Sequence, residues 1–186
     1  MFRREFLTRS TSAAALPFLV APSFRDPTLF ETMLADYVDA WRRSSAYLLR
    51  VAAAMPEEDY DFRPSRDVRS FAEQILHLST TTFGFASIVE GTESPSASRF
   101  DRYDKSKAEM ITQLRAACDY GAAVLADLSE DRALKRVPWG GVGYEDITEL
   151  PVLAVVNVLR LHTAHHWAQL TLHLRLRGIV PPPYVD

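Results

Sequence analysis

One long segment with almost no charge limits most strongly the folds that are open to this chain. The stretch from Phe71 to Val89 carries a single charged side chain, Glu73. Ser70 and Glu73 have the S-x-x-E spacing of a capping box, in which the two side chains satisfy free backbone N–H groups at a helix start. A helix that is apolar nearly all round is buried on most of its sides. The segment therefore predicts a helix in the interior of a larger helical assembly.

Two further segments before residue 129 also have the apolar period of core-facing helices. The first begins at Asp26-Pro27, with Asp as the N-cap and Pro in the first helical position, and Pro56 ends it. Ser106 and Glu109 repeat the capping-box spacing and predict another helix that runs to about Leu128. These segments and the first one give three long helices.

The last helix follows a stretch that is too irregular to be helical. Residues 129–150 are rich in turn-forming residues and favour a short hairpin around residues 140–143. The final helix then begins near Thr148 to Pro151 and runs to Arg177, where Gly178 and three prolines prevent its continuation.

Four long helices indicate an all-α protein, an antiparallel four-helix bundle with a short irregular or hairpin excursion before the last helix. An up-down order is the simplest topology, although an extended third connection leaves another arrangement open. With 186 residues, 47% of them hydrophobic, the chain suits a single folded domain over residues 24–186.

Charge and cysteine content exclude several classes of function. The formal net charge is −3, so no basic excess is present to neutralise nucleic acid or an anionic membrane surface. The single cysteine, Cys118, forms no intramolecular disulfide and is expected to fill the core.

The N-terminal segment, residues 1–23, has the layout of an export signal. Arg3-Arg4-Glu5-Phe6-Leu7 fits the R-R-x-F-L core of a twin-arginine signal, and an apolar run follows it. That run is too short to span a bilayer, so no membrane span is expected in the mature chain. Cleavage is expected before Phe24, which predicts a periplasmic or extracellular protein. The alternative is a cytoplasmic protein with a helical N-terminal extension.

The five histidines are clustered, with His77 in the second helix and the other four in the last. His162 and His166 are four residues apart, which places their imidazoles one above the other on a helix. Since His77 is the only histidine outside the last helix, it is the candidate third ligand. Three imidazoles and one open position are typical of catalytic zinc sites, although imidazole also suits nickel, copper and iron. The alternative is a set of hydrogen-bonded core histidines.

The two remaining histidines of the last helix point elsewhere. His165 is turned away from both His162 and His166, which favours an orienting or interface role. His173 lies two turns beyond His166, about 10 Å along the helix axis, too far to bind the same ion.

Two runs of sequence resemble a known family. HTAHHWAQLTLHLRLRGIVPP, residues 162–182, resembles the final helix of the DinB-like (damage-inducible, YfiT-like) superfamily, and FRPSRDVRSFAEQILHLS, residues 62–79, resembles the entry to its second helix. The resemblance covers roughly residues 27–184. It implies a DinB-like bundle in which His77, His162 and His166 bind a divalent transition metal, with zinc or nickel the expected ion. Trp167-Ala168 departs from the family pattern beside the site but leaves the three ligands intact.

The resemblance leaves two functions open. One is a metal-dependent enzyme of thiol transferase or hydrolase type that acts on a small electrophilic substrate. The other is a non-enzymatic metal-binding or structural stress protein whose ion only joins two helices. Glu73 and Gln169 lie within a turn of the ligands and are candidates to orient them or the substrate. Export would argue against a thiol cofactor, which the cytosol keeps reduced. A homodimer paired through helix faces is also implied by the resemblance, but no surface signal in the sequence specifies it.

Overall fold

The computed structural model describes residues 26–94, 106–140 and 147–184. Its elements, in chain order, are α1 (Leu29–Ala54), α2 (Phe71–Glu90), α3 (Lys107–Ala126), α4 (Glu130–Leu134), β1 (Arg136–Pro138), β2 (Glu149–Pro151) and α5 (Val152–Leu176). A 3-10 turn over Glu57–Asp59 lies between α1 and α2. Helices dominate the described residues, which confirms the all-α class.

The helix starts follow the capping chemistry in the sequence, with one correction. The predicted boxes at Ser70 and Ser106 are both present, each with the serine hydroxyl and the glutamate three residues later bound to backbone N–H groups. α1, however, begins at Leu29 rather than at Asp26-Pro27. Its N-cap is Thr28, whose hydroxyl accepts from the N–H of Glu31 at 3.2 Å while Glu31 accepts from the N–H of Thr28. A full capping box there outcompetes a lone Asp cap upstream, because it satisfies two backbone donors at once.

The third connection, residues 127–151, contains more regular structure than the sequence predicts. After α3 the chain forms the short helix α4, and β1 then pairs with β2 in antiparallel register, Val137 opposite Leu150. The expected hairpin is therefore present as a two-stranded pair. Residues 141–146, which include most of its predicted turn, lie outside the described residues.

The four long helices form a closed ring of packed pairs, in which α1 and α2 each pack against both α3 and α5. Two hydrophobic clusters show the direction of each helix. One joins the C-terminal halves of α1 and α5 to the N-terminal halves of α2 and α3, and the other joins the opposite halves. α1 and α5 therefore run one way, and α2 and α3 run the other way.

This arrangement differs from a simple up-down order, because the consecutive helices α2 and α3 are parallel. Residues 91–106 join the end of α2 to the start of α3 at the opposite end of the bundle. A 20-residue helix such as α2 is about 30 Å long, and a connection of this length reaches further than that when extended. From the sequence, a departure from up-down order was expected at the third connection. It occurs instead at the second connection, residues 91–106.

The sequence also predicts that Cys118 fills the core and that the mature chain has no membrane span. Cys118 is 3% exposed and lies in the core, as expected. None of the helices in the described ranges is both long enough and apolar enough to cross a bilayer. The proposed export signal and its cleavage site, residues 1–24, lie outside the described residues.

Candidate metal centre

Two antiparallel helices bring the three predicted histidines together. His77 lies on α2, two turns after the capped start of that helix, and His162 and His166 lie one turn apart on α5. Because α2 and α5 run in opposite directions and pack together, the N-terminal half of α2 meets the middle of α5. The capping box at Ser70 sets the start of α2 and hence the rotational position of His77.

The three imidazoles converge through their Nε2 atoms. Nε2 of His162 lies 3.2 Å from Nε2 of His77 and 3.2 Å from Nε2 of His166. One ring nitrogen from each histidine lies within 4.8 Å of the other two. Around a tetrahedral zinc ion with Zn–N bonds of about 2.0–2.1 Å, two ligand nitrogens are roughly 3.3–3.4 Å apart. The three histidines, here called the triad, are therefore positioned to hold one metal ion.

Two glutamine side chains fix the orientation of His166. Its Nδ1 lies 2.8 Å from Oε1 of Gln74 and 2.9 Å from Oε1 of Gln169. Since an amide oxygen only accepts hydrogen bonds, Nδ1 carries the proton and Nε2 keeps its lone pair. Nε2 of Gln74 donates to Oε1 of Gln169 at 2.7 Å, which ties α2 to α5 beside the ring. Metal-binding histidines are commonly oriented by such a bond from the second ring nitrogen.

The surroundings of the triad favour neutral imidazoles. Burial is the main cause that lowers the pKa of His77, His162 and His166 from 6.5 to about 4. Neighbouring histidines and the positive charge of Arg69 act in the same direction. At neutral pH each ring therefore offers a lone pair rather than a positive charge, as a cation site requires.

Aromatic rings surround one side of the triad. Phe85 of α2 meets His162 edge-on, with ring centroids 5.4 Å apart, and stacks on Trp139 at 5.8 Å and 13°. Nδ1 of His162 is buried and has no hydrogen-bond partner among the described residues. His77 and His162 are half-buried, whereas His166 is buried, so the triad is reached from the side of His77 and His162.

The other histidines are placed as the sequence predicts, outside the triad. His165 is exposed, and its Nε2 lies 3.0 Å from Nε2 of Gln169, so it extends the glutamine network. His173 is buried two turns further along α5, with Nδ1 at 2.8 Å from the carbonyl oxygen of Gln169 and Nε2 at 3.0 Å from that of Arg69. Neither belongs to the cluster of donors in the described ranges that could hold a metal ion.

Of the two candidate orienting residues, Gln169 contacts the triad, whereas Glu73 binds groups near the start of α2. Gln169 contacts His166 directly, as expected for an orienting residue. The Glu73 carboxylate instead binds the N–H of Ser70 and the Arg63 guanidinium at 2.6 Å, and these bonds lower its pKa. It therefore works as a cap and ion-pair partner.

Three residues near the triad were missed by the sequence analysis. Phe85 lies two turns beyond His77 and has the helical spacing that would have identified it. Trp139 belongs to the third connection and Arg69 precedes a helix, so no periodicity relates them to the histidines. Only the folding of these loops against the bundle brings them there.

Comparisons with known proteins agree with this fold. The family model of the DinB superfamily matches residues 40–170, more than half of the chain. None of the curated proteins compared with the chain matches it. Among solved structures, the DinB-like protein YjoA from Bacillus subtilis is similar with a TM-score of 0.66 and 18% identity, over 81% of this chain and 99% of that one. At that identity the likeness shows the fold alone, whereas the family model covers all three histidines of the triad. The chain therefore belongs to the DinB superfamily.

Proposed function

We propose that this protein is a divalent-metal-dependent enzyme in which His77, His162 and His166 hold one zinc or nickel ion. The observation that carries the proposal is the convergence of three Nε2 atoms at separations suited to one ion. The cluster contains no carboxylate or thiolate from the described residues, so that part of the chain supplies three ligands to an ion that prefers four or more. An open position for substrate is the mark of catalytic rather than structural sites.

An ion held there would supply Lewis acidity to a small electrophilic substrate, in a reaction of thiol transferase or hydrolase type. The chain's own residues prepare the site. Gln74 and Gln169 fix the proton of His166 on Nδ1, which leaves Nε2 directed at the other two rings. Phe85 and Trp139 exclude water from one side of His162, which strengthens electrostatic interactions there.

Metal content tests this proposal directly. Protein purified without added metal is expected to carry about one zinc or nickel ion per chain by elemental analysis, and His77→Ala, His162→Ala and His166→Ala should each lose most of it. His165→Ala is the matched control, because His165 neighbours His166 on α5 yet is exposed and outside the cluster. Full metal content in all three variants would show that the ion binds elsewhere.

A second measurement separates catalysis from a purely structural ion. After cobalt replaces the native metal, azide should change the visible absorption spectrum, because an open coordination position accepts it. A spectrum that azide leaves unchanged, together with a large loss of thermal stability on metal removal, would instead support an ion that only joins α2 to α5.

A further inference from the structure

The face of α2 that carries His77 continues for two more turns. Thr81 lies one turn beyond His77, and Gly84 lies two turns beyond it, so both share its side of the helix. The Thr81 hydroxyl donates to the carbonyl oxygen of His77 at 2.7 Å and is therefore engaged by the helix itself. Beyond the triad, this face of α2 therefore has little polarity to offer a bound molecule. The Thr81 hydroxyl is already hydrogen-bonded, and Gly84 has no side chain.

Gly84 has no structural need to be a glycine. Its φ lies outside the left-handed region, and a Cβ added there would have no heavy atom within 4 Å among the described residues. Glycine in a helix interior destabilises the helix relative to alanine. Gly121 shows the opposite case, because a Cβ there would lie 2.8 Å from Cζ2 of Trp41. Among the described residues, Gly84 thus leaves open space on this face of α2, two turns beyond His77, at a cost to helix stability.

An aromatic side chain follows Gly84 along α2. Phe85 is the next residue after Gly84, is only half-buried, and contacts His162 edge-on at 5.4 Å. Trp139, from the third connection, stacks almost parallel behind it and holds the Phe85 ring in place. A flat ring beside a metal-binding imidazole provides a stacking surface for a second flat ring.

We propose that Thr81, Gly84 and Phe85, backed by Trp139, form the substrate cleft of the triad, and that the cleft takes a flat apolar group attached to the atom that approaches the ion. The substrate class is therefore a small electrophile with an aromatic or similarly planar substituent. This inference rests on the proposed function, because the ion at the triad defines the reacting end of the cleft.

Two coordinating probes of different size test the cleft in the cobalt-substituted protein. Imidazole reaches the ion alone, whereas 4-phenylimidazole also carries a phenyl ring into the cleft. We expect 4-phenylimidazole to bind at least tenfold more tightly than imidazole in a titration followed by the cobalt absorption bands. Gly84→Leu should abolish that preference and leave imidazole binding within about twofold, because leucine fills the space but touches no ligand.

Matched variants separate the cleft from general effects on folding. Ala116→Leu adds a comparable side chain to an exposed site on α3 and should keep the preference. Phe85→Ala should reduce the preference at least fivefold. Gly84→Ala should raise the melting temperature while it weakens 4-phenylimidazole binding, a combination that a purely structural role for Gly84 does not give.

The outcomes distinguish the two proposals. If cobalt binds at the triad and imidazole coordinates, but the preference for the phenyl group is absent or survives Gly84→Leu and Phe85→Ala, the cleft is wrong and the metal site stands. If cobalt uptake does not depend on the three histidines, the proposed function is wrong. The cleft proposal is then wrong as well, because it depends on an ion at the triad.

Discussion

At the triad, the position of one proton decides whether a ring can bind a cation. His166 is held by two amide oxygens at 2.8 and 2.9 Å, and its Nε2 is therefore the free lone pair. In His162 the corresponding Nδ1 is buried without a partner among the described residues. The two candidate ligands on α5 are thus prepared differently, and His166 is the one that the described residues orient more completely.

Replacing one of the two orienting amides should weaken metal binding without removing a candidate ligand. We expect Gln169→Leu to lower metal affinity by about 10–100-fold, the usual effect of losing a partner that orients a ligating histidine. Competition with a chromophoric chelator measures this. Gln113→Leu, a buried glutamine on α3, is the control and should leave the affinity unchanged. Equal affinity in Gln169→Leu and the wild type would mean that Gln74 and packing suffice to orient His166 without Gln169.

The lowered histidine pKa values predict how the metal-free protein responds to acid. In the folded chain the pKa of each triad histidine is about 4, against 6.5 in the unfolded chain. Between these values the unfolded chain binds more protons, so the free energy of unfolding decreases as pH falls from about 6.5 towards 4. Above 6.5 this contribution is fully present.

Urea unfolding of the chelator-treated protein between pH 7.5 and 4.5 tests that slope. A variant with all three histidines replaced by glutamine should show a shallower pH dependence, because its folded and unfolded states take up protons more equally. An identical slope in the variant and the wild type would place the acid sensitivity in other groups.

At the level of elements, α1 and α3 are held together by a close approach at Gly121. Trp41 of α1 donates from Nε1 to the carbonyl oxygen of Cys118 at 2.9 Å, and its ring lies directly over Gly121. The hydrogen bond fixes the ring where a Cβ at Gly121 would lie 2.8 Å from Cζ2. The glycine therefore sets the distance between the two antiparallel helices.

Gly121→Ala should destabilise the protein even though alanine is the better helix former. Forcing an added methyl group into a packed contact costs typically 1–3 kcal/mol, about the size of effect expected in the free energy of urea unfolding. Trp41→Phe combined with Gly121→Ala should recover part of the loss, because the smaller ring leaves room for the methyl group. A neutral or stabilising Gly121→Ala would show that the helices separate without cost.

At the scale of the whole molecule, the helix directions set which residues meet. α2 and α5 are antiparallel neighbours, whereas α1 and α2 lie diagonally opposite. The candidate ligand pair on α5 therefore faces α2, and His77 meets it at the same height in the bundle. If α2 and α5 were instead diagonal, the three histidines would face each other only across the core.

Export is a property of the whole chain, and we propose the twin-arginine route for it on the strength of Arg3-Arg4-Glu5-Phe6-Leu7. That route carries folded proteins, so the bundle would load its metal before transport. Cells that express the wild type should contain exported protein cleaved before Phe24. An Arg3→Lys/Arg4→Lys variant should remain uncleaved in the cytosol, and equal export of both forms would exclude the route.

The sequence by itself determined the four long helices, apart from the exact start of α1, and the candidate ligands. The capping boxes at Ser70 and Ser106 fixed two helix starts, because a cap is a local exchange of hydrogen bonds among neighbouring residues. The four-residue spacing of His162 and His166 placed both rings on one face for the same local reason. His77 followed as the third candidate because it is the only histidine outside the last helix, and the family resemblance pointed to the same three residues.

Only the tertiary structure decided what lies between elements. The parallel course of α2 and α3 depends on which way a long connection runs, and loop closure depends too weakly on length for sequence to fix that direction. The contacts of Gln74 with Gln169 and of Phe85 with Trp139 join residues far apart in the chain, and no local period relates such pairs. The candidate ligands were therefore visible in the sequence, whereas their orientation and the proposed cleft depend on packing.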